Sequence, residues 1–242
     1  MWDSAALLRN IANTMLAFSA IAVLYGAVYF VMRLPEVSPL RSVRLTAALQ
    51  QVAMEQLLQV LRTEVQGNFI TMDIDRLRLS LEKLPWVRSV NIRREFPNRL
   101  AVQLEEHQVL ARWNESALVN HQGEVFVAES DQILPSFIGP EGDSTVVTHH
   151  YTQFGLQLAE LDLHAVQIVL SPRHAWKMRL NNGVELKLGR EDMQQRLARF
   201  VAAYPYSLKV EDQKQTSEGR LAYVDLRYRN GFAVKRIANG RG

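Results

Sequence analysis

The 242-residue sequence contains no cysteine. Disulfides, thiolate nucleophiles and Cys-ligated metal sites are therefore excluded. Common enzyme signatures are also missing, since there is no glycine-rich phosphate loop, no serine-centred elbow and no HExxH pair. A chain without cysteine suits a periplasmic domain and a cytosolic one equally well, so this absence does not indicate a compartment.

An excess of charge of one sign is missing as well. The formal net charge is +3, from 28 Lys and Arg against 25 Asp and Glu, which is too small to indicate a nucleic-acid partner. Three glutamates lie close to the main basic cluster, so a solvated sheet face is the better interpretation of that cluster. Its members are Arg88, Arg93, Arg94 and Arg99.

Two short polar runs are the best candidates for chemistry. His149 and His150 could ligate a metal, but neighbouring side chains at the start of a helix point in different directions. Glu105, Glu106 and His107 could serve in acid–base chemistry, but successive residues of a strand face opposite sides. The sequence therefore favours a solvated helix terminus and an exposed strand end.

Charged residues are absent from one long stretch, residues 11–32. At helical rise this stretch spans about 33 Å, enough to cross a hydrocarbon core about 30 Å thick. A cleaved signal peptide would have a shorter apolar region and a small-residue cleavage site, and an amphipathic surface helix would have a polar face. The sequence predicts a retained transmembrane helix.

The charges flanking this helix do not settle its orientation. Arg9 precedes the helix, whereas Arg33, Arg41 and Arg44 follow it, so a simple positive-inside count places the large domain in the cytoplasm. Long domains often translocate regardless of flanking charge, however. The residues alone leave the orientation open.

Residues 41–106 follow a proline-containing linker at 33–40 and predict a β-α-α-β-β order. Alternating apolar residues indicate the strands, and apolar residues at helical spacing indicate the helices. The predicted elements are a strand at 42–46, a helix at 50–65, a second helix capped by Thr71 and ended by Pro85, and strands at 86–95 and 100–104.

The remainder predicts a β-rich body with two helices. Thr148 is the predicted cap of the first helix, and residues 191–203 form the second. The run Asn181-Asn182-Gly183 predicts a hairpin turn. The predicted strands lie at 109–113, 117–120, 124–128, 166–170, 175–180, 184–188, 221–228 and 232–237.

The strand at 232–237 is a candidate sheet edge, because it follows a turn and is the last predicted element. Natural edges are often blunted by charge, and Lys235 and Arg236 agree with such protection. Alternatively, a partner adds a strand there and gains affinity from main-chain hydrogen bonds. The residues leave both interpretations open.

Two separated blocks of the sequence resemble the bacterial FtsQ/DivIB family of cell-division proteins. The first consists of Pro85-Trp86-Val87, Arg93-Arg94, Phe96-Pro97, Leu100, Glu106 and Ala111-Arg112-Trp113. The second consists of Trp176, Asn182-Gly183, Leu188-Gly189-Arg190, Arg196-Leu197-Ala198-Arg199-Phe200, Val224-Asp225-Leu226-Arg227-Tyr228 and Gly231. Phe96 stands where relatives commonly have tryptophan.

This resemblance implies an α+β protein with an N-terminal transmembrane helix, a POTRA domain of β-α-α-β-β order, and a β-rich domain with a few helices and an exposed C-terminal edge strand. The implied segments are a cytoplasmic N-terminus (1–10), the transmembrane helix (11–32), a linker (33–40), the POTRA domain (41–107), a periplasmic β domain (108–238) and a disordered tail (239–242).

The resemblance also implies a non-enzymatic divisome scaffold of the inner membrane at the septum, with no cofactor, metal, nucleic acid or small-molecule substrate. Its partners would be FtsB and FtsL, with other divisome proteins, and it would help control septal peptidoglycan synthesis. In the family, FtsB adds a strand to the last strand of the β domain. The implied contacts are Arg173, Arg227, Tyr228, Gly231, Phe232, Val234 and Arg236, where relatives often have tryptophan in place of Arg236. A weaker expectation is a recruitment surface at Val87 and Arg88.

Two other classes remain as alternatives. One is a membrane-anchored periplasmic enzyme, which the missing motifs disfavour. The other is a POTRA-bearing component of outer-membrane assembly, which would be expected to carry a downstream run of amphipathic membrane strands that this sequence lacks.

Overall fold

A computed structural model of the chain describes residues 5–33, 40, 42–46, 49–65, 68–208, 220–229 and 231–237. The chain divides into two compact units, Met1–His107 and Gln108–Gly242. The predicted tail, the interior of the predicted linker at 33–40 and the polar loop at 211–219 lie outside the described residues.

The predicted apolar helix is confirmed as α1, Ala5–Arg33. The segment Leu8–Val31 of this helix has a mean hydropathy of 1.9, and its most apolar part is not buried inside the molecule. The helix is apolar all round, with large side chains such as Phe18 exposed on its surface. By length and composition it can cross a membrane.

The rest of the first unit confirms the predicted β-α-α-β-β order. Its elements are β1 (Ser42–Leu45), α2 (Met54–Glu64), α3 (Ile74–Leu81), β2 (Val87–Glu95) and β3 (Arg99–Glu106). The three strands form a sheet of order β1-β3-β2, with β1 parallel and β2 antiparallel to β3. One apolar face of each helix packs on one face of this sheet. The helices and the sheet enclose an apolar core, whose fully buried residues include Leu57, Leu77, Leu81, Leu100 and Val102.

Both helices of this unit begin later than predicted. In place of the first predicted turn of α2, the backbone N–H groups of Gln50, Gln51 and Val52 donate to the carboxylate of Glu106 at 2.9 to 3.2 Å. The carboxylate of Glu106 is thus the hydrogen-bond acceptor for three backbone N–H groups of the loop before α2.

The prediction that Thr71 caps α3 is wrong. Asp73 is the cap, and its carboxylate accepts a hydrogen bond from the N–H of Arg76 at 3.0 Å. Thr71 instead belongs to a tight turn, because its N–H and hydroxyl both donate to the side-chain oxygen of the buried Asn68.

The second unit contains a nine-stranded mixed sheet. Its elements are β4 (Val109–Trp113), β5 (Ala117–Asn120), β6 (Val125–Phe126), β7 (Ser136–Ile138), α4 (Ser144–Leu158), β8 (Ala165–Leu170), β9 (Trp176–Leu180), β10 (Glu185–Gly189), α5 (Met193–Ala203), β11 (Arg220–Asp225) and β12 (Ala233–Ile237). The strand order is β12-β11-β10-β9-β8-β7-β4-β5-β6. The sheet and the helices α4 and α5 share one apolar core. Fully buried members of this core include Phe137, Phe154, Leu158, Ile168, Leu186, Leu197, Phe200 and Val224.

Two local predictions for this unit are wrong, and one strand was not predicted. Thr148 does not cap α4 but lies within the helix, and its side chain is buried. The short strand β7 was not predicted, since three residues between Pro135 and Gly139 carry too little alternation to stand out. The strand predicted at 221–228 ends at Asp225, so Tyr228 lies beyond the strand.

Candidate functional site

The last strand, β12, forms one end of the nine-stranded sheet. It pairs antiparallel with β11, with Val234 opposite Val224 and Ala233 opposite Asp225. Within the part of the chain that the structure describes, no strand pairs with the other side of β12. The predicted C-terminal edge strand is therefore confirmed, and this edge can accept a further strand.

The side chains of β12 alternate between two faces. Val234 lies opposite Val224, which is fully buried, so Val234 is on the core face of the sheet, where it is 44% exposed at the margin. Phe232 packs against the same core and is half-buried. Because strand residues alternate, Arg236 falls on this face as well. A strand added beside β12 would place alternate side chains next to this apolar margin.

The opposite face is polar. Lys235 pairs with Tyr223 in the register, and the ammonium of Lys187 lies 3.9 Å from the centre of the Tyr223 ring. Such a cation–π contact favours a fixed position for the lysine. One face of the edge therefore carries Phe232, Val234 and Arg236, whereas the other carries Lys235, with Tyr223 and Lys187 next to it.

Arg227 follows the end of β11 and is bound to Asp225. Its Nη2 lies 2.6 Å from Oδ2 of Asp225, and its Nε donates to Oδ1 at 2.8 Å. The side chain of Asp225 is 8% exposed, whereas that of Arg227 is 59% exposed. The hydrogen bonds from Arg227, with smaller help from the charge of Lys187, hold the pKa of Asp225 below its usual value. One side of the guanidinium is thus fixed while the group stays accessible.

Tyr228 lies in a bend after β11, and its side chain is 58% exposed. Its carbonyl oxygen accepts a hydrogen bond from Nη2 of Arg199 at 3.2 Å. The other terminal nitrogen, Nη1, donates to the carbonyl of Arg229. Arg199 of α5 therefore ties the backbone of Tyr228 and Arg229 to the helix, and Tyr228 projects from a backbone that is held in place.

Arg199, Arg227 and Arg229 help to line a basic cleft of about 450 Å³ between α5 and the end of β11. Arg196 is also held here, since its Nη1 donates to the carbonyl of Leu188 at 2.6 Å. Four guanidinium groups against one lining carboxylate make the cleft suited to anionic side chains. The lining residues are Asp192, Gln195, Arg196, Arg199, Arg227 and Arg229.

Arg173 and Gly231 lie at the same end of the sheet as Arg227. Arg173 is an exposed residue of the turn between β8 and β9. The register connects this turn through the start of β9 and the end of β10 to the end of β11. Strands are about 4.8 Å apart, so three intervals separate β9 from β12 by roughly 14 Å. Gly231 is exposed, and a Cβ there would meet nothing within 4 Å.

The structure separates the two residues of the predicted recruitment surface. Val87 is 4% exposed and belongs to the core of the first unit. Arg88 binds Glu105, with 2.6 Å between Nη1 and Oε1, and its side chain is 26% exposed. Of this pair, only Arg88 presents a side chain that a partner can touch.

The two adjacent histidines are built into α4. The ring of His150 stacks on Phe154 and contacts Trp176 edge-on, and burial lowers its pKa, helped by the neighbouring His149. His149 instead contacts Gln153 at 2.8 Å. Among the described residues, no group of three or more His, Asp or Glu side chains is placed to hold a metal ion.

Sequence reasoning assigned no role to Arg196 and Arg199, although both lie in the amphipathic segment it recognised. Their spacing of three residues puts them on the same side of α5. The two backbone carbonyls that Arg199 reaches are 29 and 30 residues away in the chain. A local pattern carries no information about such partners.

Two family models match the chain. Residues 38–107 match the POTRA domain of FtsQ type, and residues 111–227 match the C-terminal part of the cell division protein FtsQ/DivIB. The second match includes the two residues of the ion pair that ends β11.

Several relatives are similar over most of their length, and each is named as a cell division protein FtsQ. The protein of Nitrosospira multiformis is 40% identical over 240 residues, covering 97% of this chain and 99% of the relative. That of Burkholderia pseudomallei is 35% identical, covering 97% and 94%. That of Escherichia coli is 38% identical over 173 residues, covering 69% of this chain and 62% of the relative.

Proposed function

The chain belongs to the FtsQ/DivIB family of cell division proteins, and from that premise we propose that it is a non-enzymatic divisome scaffold that binds FtsB and FtsL. In this proposal the second unit carries the main binding site. Binding there links early and late division proteins and helps control septal peptidoglycan synthesis.

The observation that carries the proposal is the position of β12 at the end of the sheet. A partner strand laid along β12 gains main-chain hydrogen bonds without regard to its sequence, and specificity comes from alternate side chains. Val234 and Phe232 supply an apolar margin on one face, with Val234 44% exposed. Lys235 and Arg236 do not block such a strand, because a charged edge disfavours self-association more than it disfavours an acidic partner.

The arginines around the edge indicate the charge of the partner. Arg227 is accessible and oriented by Asp225, and the cleft beside it is lined by three further arginines. Arg173 adds a separate positive charge at the same end of the sheet. Arg173 and Arg227 both lie at the end of the sheet where β11 ends, which favours partner carboxylates at that end of the added segment.

The helix α1 supports the proposed location. It is apolar enough to span the bilayer, and we propose that it holds the protein in the inner membrane with residues 1–10 in the cytoplasm and both units in the periplasm, at the division septum. A periplasmic reporter fused at Gly242 that is active would agree with this topology, whereas activity of a cytoplasmic reporter would contradict it.

The test of the function is co-purification of FtsB and FtsL with the full-length, membrane-extracted protein. Tyr228→Ala removes an exposed ring beside the edge and should reduce recovery of both partners. Tyr206→Ala is the matched control, because Tyr206 is 86% exposed and lies outside the edge. Full partner recovery with a Tyr228→Ala, Phe232→Ala double variant would contradict this interface.

A further inference from the structure

One end of the sheet in the first unit gathers three chain segments. β1 is parallel to β3 with Ser42 opposite Arg99, so the start of β1 lies at the end where the β2–β3 turn stands. The turn between α2 and α3 lies there too, because Arg94 at the end of β2 donates hydrogen bonds to the carbonyls of Phe69 and Met72, at 3.1 and 2.7 Å. The chain from the membrane helix therefore enters at the end that carries these two turns.

The two turns are held rigidly. Asn68 is fully buried, and its side-chain oxygen accepts hydrogen bonds from the N–H groups of Ile70 and Thr71. The ring of Phe69, also fully buried, meets the ring of Phe96 edge-on with 5.3 Å between centroids. Asn68 and Phe69 thus anchor the turn between α2 and α3, and Phe96 of the β2–β3 turn packs against Phe69.

At the tips of these turns, large apolar side chains face outward. Phe96 is 81% exposed, and Ile70, which follows the fully buried Phe69, is 41% exposed. Arg93 and Arg99 are exposed on the adjacent open face of the sheet, where Glu95 is the acidic residue in register with Arg99. We call Phe96, Ile70, Arg93 and Arg99 the hairpin-end patch.

The chain length ties this patch to the bilayer. α1 ends at Arg33 and β1 begins at Ser42, so residues 34–41 join them. Eight residues reach at most about 29 Å even when fully extended. A surface tethered so closely experiences a high effective concentration of lipid, so that weak contacts suffice to dock it.

We propose that the hairpin-end patch docks on the surface of the membrane that α1 crosses, with Phe96 and Ile70 in the headgroup region and Arg93 and Arg99 against anionic phospholipid. This rests on the proposed function in one respect, that α1 spans the bilayer. Exposed aromatic and aliphatic side chains beside arginines are the combination that binds such an interface. Docking directs the opposite end of this sheet, where β3 ends at Glu106, away from the bilayer.

The absence of cysteine allows a direct test in the full-length protein. An environment-sensitive fluorophore is attached at Asn98→Cys, in the β2–β3 turn, which leaves the patch intact. Two further single-cysteine variants serve as references: Leu79→Cys, 55% exposed on α3, which runs away from this end, and Phe18→Cys in α1. Each protein is placed in nanodiscs of phosphatidylcholine with about one third phosphatidylglycerol, with lipids spin-labelled near the headgroup or deep in the acyl chain.

We expect shallow quenchers to reduce the emission of the residue-98 probe at least about twofold more than that of the residue-79 probe. Adding Phe96→Ser to the Asn98→Cys protein should lower the quenching of its probe to that of the residue-79 probe, whereas adding Leu79→Ser to the Asn98→Cys protein should leave its quenching unchanged. Reversing the charge of Arg93 and Arg99 to glutamate, or omitting phosphatidylglycerol, should weaken it, because the headgroup contribution is electrostatic.

Equal quenching at residues 98 and 79, with the Phe18 probe quenched deep in the bilayer, would overturn docking while leaving the anchor intact. A Phe18 probe that stays in water would overturn the anchor and the docking together. Shielding of the residue-98 probe that requires an added divisome protein would assign the patch to a protein partner and overturn the membrane contact.

Discussion

The guanidinium of Arg227 lies 2.6 Å from the carboxylate of Asp225, and this ion pair stands where β11 ends. Asp225 is nearly buried and Arg227 is mostly exposed, so the pair fixes one edge of the guanidinium and presents the other. A carboxylate from a partner strand therefore meets an arginine that is already oriented, which lowers the entropy cost of binding.

Removing Asp225 should weaken the fold in a pH-dependent way. The pKa of Asp225 is lowered in the folded protein, chiefly by the hydrogen bond from Arg227, so its carboxylate contributes stability at neutral pH. This contribution is fully present above the pKa of an unfolded aspartate, about 3.9, and is lost as pH falls through the lower folded pKa. Asp225→Asn should reduce the free energy of unfolding by about 1 to 2 kcal/mol at pH 7.

The measurement is urea unfolding of the wild-type protein and Asp225→Asn across the acidic range. The difference between their unfolding free energies should shrink as pH decreases. A difference that stays constant from neutral pH to the acid limit would mean that the carboxylate gains nothing from Arg227.

Arg199 should support partner binding by holding the backbone of Tyr228 and Arg229 in position. It donates to the carbonyls of Tyr228 and Arg229 and so holds the segment that presents Tyr228. Arg199→Ala should speed amide exchange in residues 227–229 and weaken partner affinity roughly fivefold, equivalent to about 1 kcal/mol. Arg190→Ala, an exposed arginine just before α5, is the matched control. Unchanged amide exchange in residues 227–229 of Arg199→Ala would show that Arg199 does not position this backbone.

Arg94 should matter far more for stability than its neighbour Arg93. Arg94 donates to the carbonyls of Phe69 and Met72, whereas Arg93 points from the opposite face of β2 and is exposed. Arg94→Met leaves partly buried carbonyl groups without these donors and should cost about 1 to 3 kcal/mol. Arg93→Met should stay within about 0.5 kcal/mol of wild type. Calorimetry of the thermal unfolding of the first unit compares the two variants. Equal losses of stability in Arg94→Met and Arg93→Met would contradict the role of the Arg94 hydrogen bonds.

Glu106 should stabilise the loop before α2. Its carboxylate accepts from three consecutive N–H groups, those of Gln50, Gln51 and Val52. Glu106→Gln keeps one acceptor but places an amide group against these donors, so a loss of about 1 to 2 kcal/mol is expected. Glu82→Gln is the control, since the carboxylate of Glu82 lies 4.0 Å from Nε of Arg78 on the helix surface. Chemical unfolding measures the free energy of unfolding of both variants. An unchanged value in Glu106→Gln would show that the negative charge of Glu106 does not stabilise the loop.

The sequence predicted the order of elements in the first unit because its apolar periodicities are strong, as in the alternation of Leu100, Val102 and Leu104 in β3. The helix starts were wrong where two cap-type residues compete. Thr71 and Asp73 are both suitable by type, and the choice depends on Asn68, which already uses the N–H and hydroxyl of Thr71. The side-chain hydrogen bond that decides the cap is visible only once the turn is folded.

The edge at β12 was predictable from chain order, but its surroundings were not. Just after β11, the N–H of Leu226 donates to the carbonyl of Lys187 in β10. Beyond that point, the backbone carbonyl of Tyr228 accepts a hydrogen bond from Arg199. Such contacts join distant segments, and no local pattern encodes them. The recruitment surface at Val87 and Arg88 was an expectation from the family resemblance, and the packing of the first unit buries Val87.

Pairing of a partner strand with β12 can be detected by disulfide cross-linking, because the native chain has no cysteine. Single cysteines at Val234 and Lys235 of the full-length protein, each combined with a cysteine scan of the FtsB segment, are oxidised in membranes. Strand addition should give disulfides at every second partner position, with the sets for Val234 and Lys235 offset by one, because these two residues lie on opposite faces of the sheet. Disulfides spaced three or four residues apart, or none above the background of Val127→Cys, an exposed site away from β12, would contradict strand addition.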